Sequence, residues 1–253
     1  MMQVLPDKSW GVSPGPRPRE RAIATRWPAS ARQVFVILAK DLRAEVRTKE
    51  AVNAALAFAV MILVLFSFAF DPEESTTKMI SGGLLWIVFA FAGTLVLNRS
   101  FARELPNDCL DALVAAPVSG AVLFLGKALA NYLLVMAVEL VALPVFGILY
   151  NVRWYQQFWQ VILVLALGTW GITIIGTMFS ALTVNIRLRE VMLPMITYPM
   201  LVPALMGAMQ VTLDLVNGKP IAGNSTNWLN LLIGFDVIYT AASLLLVETV
   251  LVG

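Results

Sequence analysis

The chain has no histidine and a single cysteine, Cys109. Without histidine it lacks the commonest ligand for haem iron and zinc and the usual proton shuttle near neutral pH. A lone cysteine forms no internal disulfide and no thiolate cluster for a metal, so no metal site is expected. Charge is scarce too: Asp, Glu, Lys and Arg make up 13% of 253 residues, against 59% hydrophobic residues. Mean hydropathy is +0.79. A soluble domain of this length cannot hide so much apolar surface, so the composition predicts a polytopic, all-α membrane protein. No acid pair or nucleophile–base set occurs in a polar context, which gives a membrane hydrolase no machinery. The closest approach to a phosphate-binding loop is Gly120 to Gly126-Lys127-Ala128. Five residues separate the two glycines where the motif has four, and Ala128 replaces the hydroxyl residue that would hold magnesium. It also opens an apolar run where the motif needs a strand-to-helix turn. The chain is therefore not expected to hydrolyse a nucleotide by itself.

What is present comes in blocks. Residues 1–29 are rich in proline and arginine, with Pro6, Pro14, Pro16, Pro18 and Pro28, and have no apolar h-region. They are expected to be a disordered basic cytosolic tail and not a signal peptide. Residues 30–49 read as an amphipathic helix opened by a Ser30–Gln33 capping box. Val34, Leu38, Leu42 and Val46 form its apolar stripe, and Lys40, Asp41, Arg43, Arg47 and Lys49 project elsewhere. Such a helix lies at the membrane surface with its cations among lipid phosphates. Six apolar runs follow, at 51–70, 79–98, 121–150, 158–182, 191–216 and 228–251. Each supplies the roughly 20 helical residues that a bilayer core requires.

The net charge of +2 says little, but its distribution sets an orientation. The amino-terminal region, the 101–127 stretch and the 185–190 loop hold Arg99, Arg103, Lys127, Arg187 and Arg189. The opposite loops hold only Lys78, Arg153 and Lys219, and the first is acidic through Asp71, Glu73 and Glu74. The positive-inside rule places both termini in the cytosol. Trp154, Trp159 and Trp228 then fall at the outer interface as an aromatic belt.

The longest polar interruption is FARELPNDCLDALVAAPVSGAVLFLGK, residues 101–127. Asn107 or Asp108 can cap a short helix there, and Pro117 stops it. Leu110, Leu113 and Val114 share one face, with Asp108 and Asp111 on another. A short amphipathic helix on a cytosolic loop is a handle for another protein.

Glu139 and Asp236 lie deep in the third and sixth runs. A carboxylate at mid-bilayer costs about 2.5–3.5 kcal/mol or more, so each is expected to line a polar interior, to contact another subunit, or to tie two helices together. The fifth run carries Pro194, Pro199 and Pro203. These residues predict a helix break, with either a re-entrant outer half near 204–216 or a merely bent helix. Met192, Met195, Met200, Met206 and Met209 decorate the same run. A thioether can ligate haem iron, but with no histidine partner these read as packing residues. Cys109 reads as a small packing residue as well.

On these residues the chain resembles the haem exporter protein B (CcmB) family, the membrane permease of the ABC-type complex of cytochrome c maturation. The resemblance runs from about Val34 to the carboxyl terminus. AKDLRAEVRTKE, the 101–127 loop and ELVALPVFGILYN in the third run carry it. It implies an ABC-2-type exporter permease with six transmembrane helices and an amphipathic elbow (30–49) before a 50–253 transmembrane domain, in the bacterial inner membrane. It further implies that 107–116 is the coupling helix seated in a cytosolic ABC ATPase. Arg103, Glu104, Asp108, Leu110, Asp111, Leu113, Val114 and Pro117 would then form the interface, with Leu110, Leu113 and Val114 as anchors.

ATP and magnesium would sit on the ATPase and haem elsewhere in the complex, leaving this chain without a cofactor of its own. The implied partners are that ATPase, a haem-handling membrane subunit, a small single-span subunit, a periplasmic haem chaperone and a second copy of this chain. Nucleic acid is not among them. The resemblance also implies that ATP hydrolysis is linked to release of the haem-loaded chaperone. Two other readings are open: a permease for another hydrophobic or lipid-linked substrate, and a non-conducting scaffold. An ion-coupled carrier would show inverted repeats, and the sequence displays none.

Overall fold

A computed structural model describes residues 26–70, 75–102, 118–183, 186 and 188–252. In hydrocarbon a backbone must satisfy its own polar groups, and a chain this apolar does so with helices. The described residues contain seven: α1 (Arg26–Thr48), α2 (Glu50–Ala69), α3 (Ser75–Leu97), α4 (Gly120–Leu149), α5 (Phe158–Thr183), α6 (Arg189–Val216) and α7 (Asn224–Val252). A 3-10 turn, Trp154–Gln157, leads into α5. Six stretches are long and apolar enough to cross a membrane: Glu50–Ala69, Met79–Leu97, Gly120–Leu149, Trp154–Thr183, Glu190–Val216 and Asn224–Val247.

Helix α5 is the hub, packed against α3, α4, α6 and α7. Its partner at the centre is α3, whose Trp86 and Phe89 are wholly buried. The Trp86 indole Nε1 donates to Thr212 Oγ1 of α6 at 2.9 Å, a polar tie that aqueous solvent cannot contest inside a bilayer. The edge helix α2 buries only Ala51, Ala55, Ala59 and Leu63. That i, i+4 row of mostly small side chains lets its backbone close on α3 and α4, while Met61, Leu65 and Phe68 face outward.

Helix α1 departs from its expected pattern. It begins at Arg26, so Ser30 lies inside the helix and is not its cap. Ile37, Leu38 and Glu45 are buried, Asp41 is partly so, and Val46 is 67% exposed. The inward face therefore runs through Val34, Ile37, Leu38, Asp41 and Glu45, and not through Val46. The reason is local: the face meets α4 rather than lipid alone, and two carboxyls on it have partners. At the end of α1, Lys49 turns the chain with φ +55°, and α2 starts at Glu50. Glu45 Oε1 accepts the amide hydrogens of Ala51 at 2.8 Å and Val52 at 2.9 Å, serving donors that the first turn of α2 would otherwise leave bare. Arg99, just past α3, ion-pairs with Glu50 across the same corner.

Of the two outcomes expected for the fifth span, the re-entrant outer half does not form and a single helix remains. Helix α6 runs from Arg189 to Val216 with Pro194, Pro199 and Pro203 inside it. Each proline still removes one amide donor and crowds the carbonyl four residues earlier. Contacts with α3, α5 and α7 hold the helix through those defects. Tyr198, beside Pro199, adds a 3.1 Å hydrogen bond to Thr94 Oγ1 of α3.

A loop root and two intramembrane carboxyls

The residues expected to grip an ATPase, Arg103, Glu104, Asp108, Leu110, Asp111, Leu113, Val114 and Pro117, lie outside the described residues, as does Cys109. Both roots of that loop are described. After α3 the chain turns through residues 98–102, with Phe101 buried, and beyond the loop Ser119 caps α4 by accepting from the Val122 amide at 3.4 Å.

Lys127, almost two turns into α4, has no exposed surface. Its Nζ donates to the Ser100 carbonyl at 3.0 Å, pairs with Asp41 Oδ2 of α1 at 3.4 Å, and lies 4.7 Å from the centre of the Phe101 ring. One turn further on, Asn131 Nδ2 donates to Ser100 Oγ and to Thr177 Oγ1 of α5, both at 2.9 Å. Ser180 Oγ donates to the Leu97 carbonyl at 3.0 Å. The close approach of α1 depends on Gly126, where a Cβ would stand 2.8 Å from Ile37 Cβ. Residues 120–128 are continuous helix with Gly126 and Lys127 well inside it, so the stretch forms no glycine-rich loop of the phosphate-binding kind.

The sequence counted Lys127 as a loop cation. The signal against that was its position inside the third apolar run, where an ionisable residue signals a partner as surely as Glu139 does. Asp41 carried a weaker signal, since its charge removed it from the apolar stripe.

Glu139 of α4 is fully buried and accepts a hydrogen bond from Thr169 Oγ1 of α5, while its Oε1 has no partner among the described residues. Asp236 of α7 is 5% exposed, and among the described residues neither of its carboxyl oxygens has a hydrogen-bond partner. Its Oδ1 lies 2.9 Å from where a Cβ at Gly171 of α5 would stand. Thr169 and Gly171 are two residues apart, about 200° round a helix, so the two acids meet opposed faces of α5. They do not form one paired site. Tyr132 of α4 packs its ring edge-on against Trp170 of α5, whose Nε1 donates to Thr240 Oγ1 of α7 at 3.0 Å.

Four of the five methionines of α6, Met192, Met195, Met200 and Met206, are at least 38% exposed, so they face outward and do not converge on a site. Met209 packs against the core. At the end of the bundle away from the 101–119 roots, Asn151, Arg153, Gln156 and Asn217 line an open cleft of about 310 Å³. Trp154, Trp159 and Trp228 gather at that same end, with Trp159 81% exposed.

Among the described residues nothing is arranged to make or break a covalent bond. The arrangement is a bundle of six membrane-length helices in which the roots of the long polar loop between α3 and α4 are tied into four helices. That is the build of a transporter's membrane subunit, an ABC-2-type permease. The chain belongs to the CcmB protein family, whose model matches residues 32–248. It is 30% identical to heme exporter protein B of Rhodobacter capsulatus over 169 residues, 67% of this chain and 77% of that protein. It is 33% identical to heme exporter protein B of Paracoccus denitrificans over 171 residues, again 67% and 77% of the two chains. With the protein of the same name from Pseudomonas aeruginosa it shares 27% identity over 192 residues, 75% and 84% of the two chains.

Proposed function

We propose that this chain is the permease subunit of an ABC-type haem exporter complex serving cytochrome c maturation, driven by a cytosolic ATPase that grips residues 107–116. Membership of the CcmB family over residues 32–248, with relatives named heme exporter protein B, carries this reading. The chain sits in the bacterial inner membrane with both termini in the cytosol, in keeping with its basic residues. Leu110, Leu113 and Val114 anchor the grip, and Arg103, Glu104, Asp108, Asp111 and Pro117 surround it. A second copy, a haem-handling membrane subunit, a single-span subunit and a periplasmic haem chaperone complete the assembly. ATP and magnesium belong to the ATPase. With no histidine, this chain leaves haem to its partners.

A second reading, that the chain anchors its partners without conducting anything, gains support from the two carboxyls. Glu139 is packed and bonded inside the bundle, and Asp236 is wedged against Gly171.

The test is co-purification from native membranes in mild detergent. Leu110→Asp with Leu113→Asp should release the ATPase while the permease stays inserted. Wild-type recovery of ATPase with the double variant would overturn the proposed grip. Haem absorbance in the purified complex, present with all subunits and absent from this chain alone, separates partner-held haem from haem held here.

A further inference from the structure

We infer that Lys127 is the positioning residue that makes α1 and the root of the 103–117 loop move as one body. This rests on the proposal that an ATPase grips that loop. A lysine with no exposed surface is costly to dehydrate unless its ammonium is paired and hydrogen-bonded. Here the compensation comes from two other elements. The Ser100 carbonyl belongs to the segment that descends into the loop, and Asp41 belongs to α1. The Phe101 ring, on the descending segment, adds a cation–π contact. Asn131 repeats the clasp on Ser100 from one turn deeper and extends it to α5 through Thr177.

The consequence is mechanical. A push on the loop that carries Ser100 away must either strip a buried ammonium or carry α4 with it. Carrying α4 also carries α1, because Asp41 is on the same ammonium and Gly126 seats Ile37 directly against α4. Packed elements linked this way switch as units and do not deform gradually. Lys40 also pairs with Asp41, at 3.3 Å, but from the exposed side, so it cannot substitute for the buried contact.

The experiment uses the full complex in native membranes and reads three quantities: ATPase recovered with the permease, ATP hydrolysed, and haem-stained c-type cytochrome formed. Lys127→Met keeps an unbranched side chain, one atom shorter, and deletes the charge. It should leave the recovered ATPase and its hydrolysis near wild type while cytochrome output per ATP falls roughly tenfold, a loss typical of a severed coupling. Lys127→Arg should recover most of that output. Asp41→Asn, at the wetter rim of the pair, should lower output per ATP in the same direction but less. Wild-type output per ATP in Lys127→Met would overturn the inference. If Lys127→Met fails to insert, Asp41→Asn decides, and unchanged output there overturns it. The Leu110→Asp and Leu113→Asp double variant keeps the two claims apart. ATPase retained in that variant refutes the grip, whereas ATPase released there and normal output in Lys127→Met refutes only the role of Lys127.

Discussion

Replacing Glu45 by alanine should loosen the corner between α1 and α2 while leaving the six-helix bundle intact. The Glu45 side chain is 1% exposed, and one of its oxygens accepts from both the Ala51 and Val52 amides. Those amides belong to the first turn of α2, which has no intrahelical acceptor for them. Losing a side-chain cap costs about 0.5–2 kcal/mol, and one oxygen serving two amides places this site toward the upper figure. At about 1.4 kcal/mol per factor of ten, local opening should become up to roughly thirtyfold more frequent. Hydrogen exchange by mass spectrometry on the 48–56 segment reads that opening directly. Exchange in the 158–168 half of α5, at the opposite end of the bundle, should not change. Glu45→Gln retains an acceptor oxygen and should accelerate exchange less than alanine. Unchanged exchange at 48–56 in Glu45→Ala would refute the cap, and acceleration reaching that half of α5 would refute its local character.

Three further outcomes follow from the packing. Thr169→Val removes the hydroxyl that serves Glu139, at a cost of about 1–3 kcal/mol, and adding Glu139→Leu should restore part of the lost thermal midpoint in detergent. Gly126→Val sets a Cβ 2.8 Å from both Cβ and Cγ2 of Ile37 and should cost about 1–3 kcal/mol by overpacking; Ile37→Ala removes only the Cγ2 contact and should restore only part of the loss in the same melting assay. Pro199→Ala replaces an exposed proline within a continuous helix, where proline is about 3 kcal/mol less favourable than alanine; the thermal midpoint should rise and ATPase co-purification should be unchanged.

The spans were legible because a bilayer demands length and apolarity, both of which a sequence displays openly. The corner at Glu45 and the clasp at Lys127 were not. The apolar period of α1 places Asp41 off the stripe and carries no sign that Glu45 is buried. Here both carboxyls turn inward, since one serves two bare amides and the other shares a buried ammonium. Lys127 adds to the positive charge of the 101–127 stretch, although it lies within an apolar run. The three prolines of α6 carry a true local preference for a break, which packing on three neighbouring helices overrides. Glu139 and Asp236 were legible as intramembrane acids, but their separation on opposed faces of α5 depends on helix placement that no single segment encodes.

The central claim is that a cytosolic motor works the bundle through the loop between α3 and α4. Cys109, the sole cysteine, lies within that loop, and if it packs against the ATPase its thiol is uncovered when the ATPase is stripped away. A membrane-impermeant maleimide should label Cys109 in inside-out vesicles stripped of ATPase, fail to label it in right-side-out vesicles, and be blocked when the ATPase is added back. Labelling from the periplasmic side, or labelling that bound ATPase does not diminish, would contradict the account.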